Sequence, residues 1–190
     1  MAQEESICYR SSLALSLPIR YYPLPLDGAI YSPYVLVMRD DIASGHNLLN
    51  IRPRNLPVVS VVTVAALRRP DLIGGDLGVL KDRKRPHDYD SGRHQEKFLG
   101  RDMDRDLTKA KMRLALRIAA IHKHPLLVLD ALGCGAYENP PAEIAHCWLE
   151  VLKEYEFSGN WWKEVCFAVY DPNNDGNFAV FDRILAGKYV

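Results

Sequence analysis

Two short stretches carry residue types that could do chemistry. Gln3-Glu4-Glu5 sets two adjacent carboxylates beside an amide. Such a pair can bind sugar hydroxyls and donate or accept a proton. Gly133-Cys134-Gly135-Ala136-Tyr137-Glu138-Asn139 lies between an apolar run and a proline-started segment. Glycines let a backbone approach a ligand closely, and the free N–H groups at a helix start favour an anion, so a phosphate or diphosphate suits this loop. Each stretch also has a plainer reading. Glutamates in a first helical turn serve the helix dipole, and a short glycine loop can be a tight strand-to-helix turn that binds nothing.

Other groups point less clearly to a site. Asp171-Pro172-Asn173-Asn174-Asp175-Gly176 matches the first half of a calcium-binding EF-hand loop, with Asp182 at the twelfth position. A strand before it, an aspartate where glutamate is usual, and Pro172 all argue against calcium. The expectation is a polar loop. His122 and His124 flank a helix end and His146 lies on a helix, with no second ligand at metal spacing. Cys8, Cys134, Cys147 and Cys166 form no Cys-x-x-Cys and are expected to be reduced thiols of an intracellular protein. Neither a metal nor a cofactor is expected.

The 190 residues suit one domain spanning 1–190, with 48% apolar side chains to fill a core. Lysine plus arginine and aspartate plus glutamate each number 24, and this balance does not suggest direct nucleic-acid binding. The longest apolar runs, such as 58–67, fall short of a membrane span, and no basic start leads into an apolar signal segment.

The elements that must position these residues follow from periodicity. The spacing predicts a helix over 6–17, closed by Pro18, and a strand over 34–39 after Pro33. The β-branched run 57–66 reads as a central parallel strand, apolar on both faces. Residues 81–106 mix both charge signs and read as a solvated loop. A helix is predicted over 107–122, a buried strand over 126–132, and a helix from Pro140 or Pro141 to about Gly159. Asn139 stands near the cap of that helix, and Ile144, Ala145, Trp148, Leu149, Leu152 and Tyr155 are its buried face. A strand over 164–170 and a helix over 177–186 complete a strand–helix–strand unit with parallel strands. The fold class is therefore α/β.

AQEESICYRSSLALSL, YYPL, YSPYVLVMRDD, PVVSVVTVAA, LVLDALGCGAYENPPAEIAHCW and VCFAVYD, in this order, resemble the catalytic domain of microbial-type poly(ADP-ribose) glycohydrolases. The resemblance covers nearly the whole chain apart from residues 81–106. It implies a macrodomain-like, three-layer α/β/α sandwich with a mixed, mostly parallel sheet. It also implies hydrolysis of ribose–ribose bonds in poly(ADP-ribose) on modified proteins. Glu5 then matches the catalytic general acid, Glu4 the group that holds hydroxyls of the terminal sugar, and Gln3 a support for that loop. The diphosphate loop maps to Gly133, Cys134, Gly135, Ala136 and Asn139, with Tyr137 packed against the ligand. Phe178 is a candidate for the adenine end. The family carries a strand and three glycines ahead of its QEE, so the sheet here is expected to lack its first strand or strands. Leu67-Arg68 stand where the family tends to have proline and asparagine. A non-catalytic ADP-ribose-binding module, or an inactive fragment, is the alternative function.

Overall fold

The computed structural model describes residues 3–74 and 97–189. In chain order the elements are α1 (Gln3–Arg10), β1 (Ala29–Leu36), β2 (Val58–Val64), β3 (Leu72–Gly74), β4 (Lys97–Leu99), α2 (Asp102–Ile121), β5 (Leu126–Asp130), α3 (Pro141–Leu152), β6 (Glu164–Ala168) and α4 (Asn177–Leu185). The result is a mixed α/β chain that divides into two compact units. One is Met1–Ala65 with Leu114–His122, and the other is Ala66–Arg113 with Lys123–Val190.

In the first unit the helix predicted over 6–17 is shorter and begins earlier. Ser11 ends it: its hydroxyl donates to the Ile7 carbonyl at 2.7 Å and accepts from the Leu13 N–H at 3.2 Å. Serine competes with the backbone in this way, which disfavours a continuing helix. Leu13–Ser16 form a separate tight helical turn. β1 and β2 pair antiparallel, with Ala29 opposite Val64 and Leu36 opposite Val58. This corrects the parallel assignment of β2, because an apolar, β-branched run signals a strand but not its direction. β1 also runs through Pro33 instead of starting after it. Pro33 has no N–H to give, the register shifts between Ser32 and Val35, and Tyr34 takes φ 56°. This is a bulge, which tolerates proline where a regular ladder would not.

In the second unit β5 and β6 are parallel, in register from Leu126 opposite Glu164 to Asp130 opposite Ala168. The predicted strand–helix–strand unit is therefore present. The inner face of this pair carries Phe167, whose ring centroid lies 6.0 Å from Trp148 of α3 and 5.9 Å from Phe181 of α4. The Trp148 indole N–H donates to the Asp130 carbonyl at 3.1 Å, which ties α3 to the end of β5. β5 alternates instead of being buried throughout: Leu127 is buried, while Leu126 and Val128 are exposed. β3 and β4 pair antiparallel, Leu72 opposite Leu99. Pairing among the described strands is thus two antiparallel couples and one parallel couple, each two-stranded, and not the mostly parallel sheet expected. Of the charged stretch 81–106, residues 81–96 lie outside the described residues. Lys97–Leu99 form a strand and α2 starts at Asp102, because the acidic residues Asp102 and Asp104 suit a first helical turn.

α3 ends at Leu152, earlier than predicted, and Tyr155 beyond it is 96% exposed instead of buried. Its cap is Pro140, not Asn139. The helix is buried on nearly every side from Ala142 to Trp148, including Glu143, whose side chain is fully enclosed. That carboxylate accepts from the Arg105 Nε at 2.8 Å and from the Leu99 N–H at 3.3 Å. Arg105 also reaches Glu150, Lys109 bonds Glu150 at 3.0 Å, and Arg113 grips both oxygens of Glu154 at 2.7 Å. Arg105, Lys109 and Arg113 are spaced by one helical turn on α2, so they form one cationic stripe facing the acids of α3 and its exit.

Two outcomes follow. Glu143→Ala removes the acceptor that Arg105 Nε and the Leu99 N–H share inside the unit and leaves Arg105 with Glu150, so it should destabilise the protein by about 3 kcal/mol in denaturant unfolding, the lower end of what removal of one buried partner costs. Hydrogen bonds from Arg113 hold the Glu154 carboxyl below its ordinary value near 4.5. The unfolded chain therefore binds the proton more readily, and stability from this pair is present above 4.5 and lost as pH falls below it. Arg113→Met should make the acid side of the stability–pH curve shallower, read from thermal midpoints across a pH series.

Candidate functional site

The first candidate group occupies the opening turn of α1. Gln3 and Glu5 are exposed and Glu4 is half-buried. The helix is pinned at its other end: the Arg10 carbonyl accepts from the Met38 and Arg39 N–H groups at 2.8 and 3.1 Å, and the Arg10 Nε donates to the Asp40 carbonyl at 3.0 Å. Ser12 exchanges hydrogen bonds with Leu36 at 3.0 Å each way, so the chain leaving α1 is stitched to β1. This anchorage fixes the helix backbone from which the two glutamates project. Glu4 Oε2 accepts from the Tyr22 hydroxyl at 2.7 Å. Partial burial, this hydrogen bond and the glutamate charge push the Tyr22 phenol well above its ordinary value, so it stays a donor through the neutral range. Burial and Glu4 likewise raise the Cys8 thiol, one turn along α1.

The second group lies at the carboxyl end of β5, between that strand and α3. Here a loop folds on itself: Cys134 N–H to Ala131 carbonyl 2.9 Å, Glu138 N–H to Gly135 carbonyl 2.9 Å, Asn139 N–H to Gly133 carbonyl 3.0 Å. The Asn139 side chain, 3% exposed, does the holding. Its Nδ2 donates to the carbonyls of Leu67, Gly133 and Tyr137 at 2.7, 3.2 and 3.4 Å. The Arg69 N–H adds a bond to the Tyr137 carbonyl at 2.9 Å, and its side chain meets Glu138 at 3.2 Å. Residues 67–69 thus strap the loop. Because the acceptor at Leu67 is a backbone carbonyl, its side chain can differ without loss of the strap.

The two glycines have different jobs. Gly133 sits at φ 74°, and a Cβ there would overlap the Asn139 amide and Ala66. Gly135 has open space where a Cβ would go. Among the described residues no backbone carbonyl accepts from the N–H groups of Gly135, Ala136 or Tyr137, and all three residues are exposed. Three successive unspent donors of this kind suit an anion. Burial, with Asp130 nearby, pushes the Cys134 thiol up, which disfavours its thiolate.

The remaining candidates are placed as follows. Tyr137 is 41% exposed at the loop tip, and Phe178 stands on α4, 57% exposed. The Asp171 carboxylate accepts from the N–H groups of Asp175, Gly176 and Phe178 at 2.7, 3.1 and 3.1 Å, which anchors the start of α4. Those bonds, from Phe178 foremost, hold its carboxyl below the usual aspartate range. The EF-hand-like loop therefore serves as a helix cap. Among the described residues no cluster of three histidine, cysteine or carboxylate side chains is placed to hold a metal ion. No described helix is long and apolar enough to cross a membrane. Residue patterns alone miss the Tyr22 contact, the strap at 67–69 and the Asp171 cap, because each joins residues through irregular backbone.

No protein-family model and no curated protein matches this chain. Solved structures do. A poly(ADP-ribose) glycohydrolase from Deinococcus radiodurans in complex with ADP-ribose is 27% identical, with a TM-score of 0.71 over 97% of this chain and 68% of that one. The enzyme from Thermomonospora curvata is 26% identical, with a TM-score of 0.69 over 96% of this chain and 60% of that one. The same enzyme bound to the inhibitor ADP-HPD gives 26% and 0.70, over 96% and 62%. The chain thus resembles microbial poly(ADP-ribose) glycohydrolases along nearly its whole length and spans about two thirds or less of theirs.

The loop geometry separates the two glycines experimentally. Gly133→Ala should lower stability by at least ~1–2 kcal/mol, from the left-handed backbone and the overlap. Gly135→Ala should leave the unfolding midpoint nearly unchanged, and differential scanning fluorimetry of the two variants reads the contrast.

Proposed function

We propose that this protein binds ADP-ribose units and hydrolyses the ribose–ribose O-glycosidic bonds of poly(ADP-ribose) on modified proteins, in an intracellular compartment, as one macrodomain-like three-layer α/β/α domain. The likeness over 97% of the chain to a glycohydrolase holding ADP-ribose carries this reading. The local geometry is compatible with it on two points. The loop after β5 offers unspent N–H groups for the diphosphate, with Gly135 leaving room for close approach. The first turn of α1 offers two carboxylates on an anchored helix.

The roles then divide as the chemistry requires. Glu5 protonates the leaving ribose oxygen as the C–O bond breaks and positive charge develops on the sugar. Its carboxylate then takes a proton from the water that attacks the anomeric carbon, which restores the acid. Glu4 accepts from hydroxyls of the terminal sugar, with Gln3 beside it. Gly133, Cys134, Gly135 and Ala136 form the diphosphate cradle, Tyr137 packs on the ligand, and Phe178 flanks the adenine end. Asn139 contributes by holding the loop's shape. Binding energy from the diphosphate positions a bond several atoms away for attack. No step calls for a metal or cofactor.

Release of ADP-ribose from poly(ADP-ribose) tests this directly. Glu5→Gln keeps the side chain's size but has no proton to give, so turnover should fall by ~10²–10⁴ while ADP-ribose affinity survives. Undiminished turnover in Glu5→Gln contradicts the assignment, and wild-type binding without release would favour a binding module.

A further inference from the structure

Tyr22 lies outside the groups assigned above, yet it is the residue that meets Glu4. Its hydroxyl donates to Glu4 Oε2 at 2.7 Å across 18 residues of chain. The tyrosine belongs to an irregular segment that follows a tight helical turn at Ile19–Tyr21, whose last carbonyl contacts include the Tyr22 N–H to Ile19 bond at 3.1 Å. That bond orders the backbone on which the Tyr22 side chain stands. A glutamate on a first helical turn otherwise has several rotamers of similar energy, and each samples a different direction. Among the described residues Tyr22 is the donor that engages Glu4.

We infer that Tyr22 is a positioning residue: it clamps Glu4 Oε2 so that Oε1 is presented, in one fixed direction, as the acceptor for a sugar hydroxyl. The inference rests on the proposed role of Glu4 in holding the terminal ribose. Two consequences follow from the geometry. A clamped carboxylate has lost its rotamer freedom before the ligand arrives, so binding does not bear that cost again. A carboxylate with one oxygen occupied also accepts in a narrower set of directions, which favours a ribose whose hydroxyls are presented from one side. A phenol is protonated at neutral pH, so the hydroxyl is there to donate, and burial and Glu4 extend that range upward.

A double-mutant cycle on ADP-ribose affinity tests the clamp, with calorimetry on the intact chain. Tyr22→Phe removes the hydroxyl and keeps the ring, and should weaken ADP-ribose roughly fivefold to tenfold, about 1–1.4 kcal/mol, which is the side-chain ordering cost that an unclamped Glu4 would bear on binding. Glu4→Ala should weaken it at least as much. The double variant should bind like Glu4→Ala alone, because a clamp has no work once its carboxylate is gone. Additive losses, or a Tyr22→Phe protein that binds like the wild type, would overturn the clamp. A second readout needs no ligand: by carbon-13 tyrosine NMR the Tyr22 phenol should ionise at lower pH in Glu4→Ala, and an unmoved titration would also overturn it. Wild-type protein with no affinity for ADP-ribose would instead strike at the proposed function, so the two failures are distinguishable.

Discussion

The enclosed carboxylate of Glu143 is the constraint around which the second unit is built. An ionised group without water must be paired and hydrogen-bonded, and here Arg105 of α2 and the Leu99 N–H of β4 share that task. Such a pair adds little net stability compared with a well-packed apolar substitute, but it admits few alternative arrangements. It fixes the rotation of α3, and the outer pairs with Glu150 and Glu154 hold the same register. α3 starts two residues after Asn139, so the helix that Glu143 locks is also the far anchor of the glycine loop.

The loop owes its shape to neutral groups. Asn139 gathers three carbonyls, Gly133 accepts a left-handed backbone, and the Arg69–Glu138 pair at the rim is exposed and contributes little. No lysine or arginine lies within the loop itself, so an anion there would be met by backbone N–H groups. Such donors are already oriented, which suits selection by the shape of a diphosphate more than by its charge alone. α1 follows the same logic by another route: hydrogen bonds at its C-terminal end make its N-terminal turn a fixed platform for Glu4 and Glu5.

Periodic and covalently local features were legible from residue types. The parallel β5–β6 pair with α3 between its strands follows from apolar runs and the prolines that open the helix, and the loop between them was found by its glycines. Strand direction was not legible: β2 is β-branched in either orientation, and only its partner β1 decides. Pro33 was misleading because a bulge absorbs it. Tyr155 continues the helical spacing of α3, yet it falls beyond Leu152, where the chain has already left the helix. Asn139 sits where a cap is expected, and its contacts run to Leu67, 72 residues earlier, which no local pattern signals. Tyr22 belongs to the same class, since its importance comes from what it touches.

Amide chemical shifts of the nitrogen-15-labelled chain during an ADP-ribose titration show whether the loop after β5 receives the diphosphate. Saturable shifts are expected at Gly135, Ala136 and Tyr137, whose N–H groups would receive the diphosphate, with further shifts at Glu4 and Glu5. Amides at these five positions that stay unmoved at saturating ADP-ribose would contradict such binding.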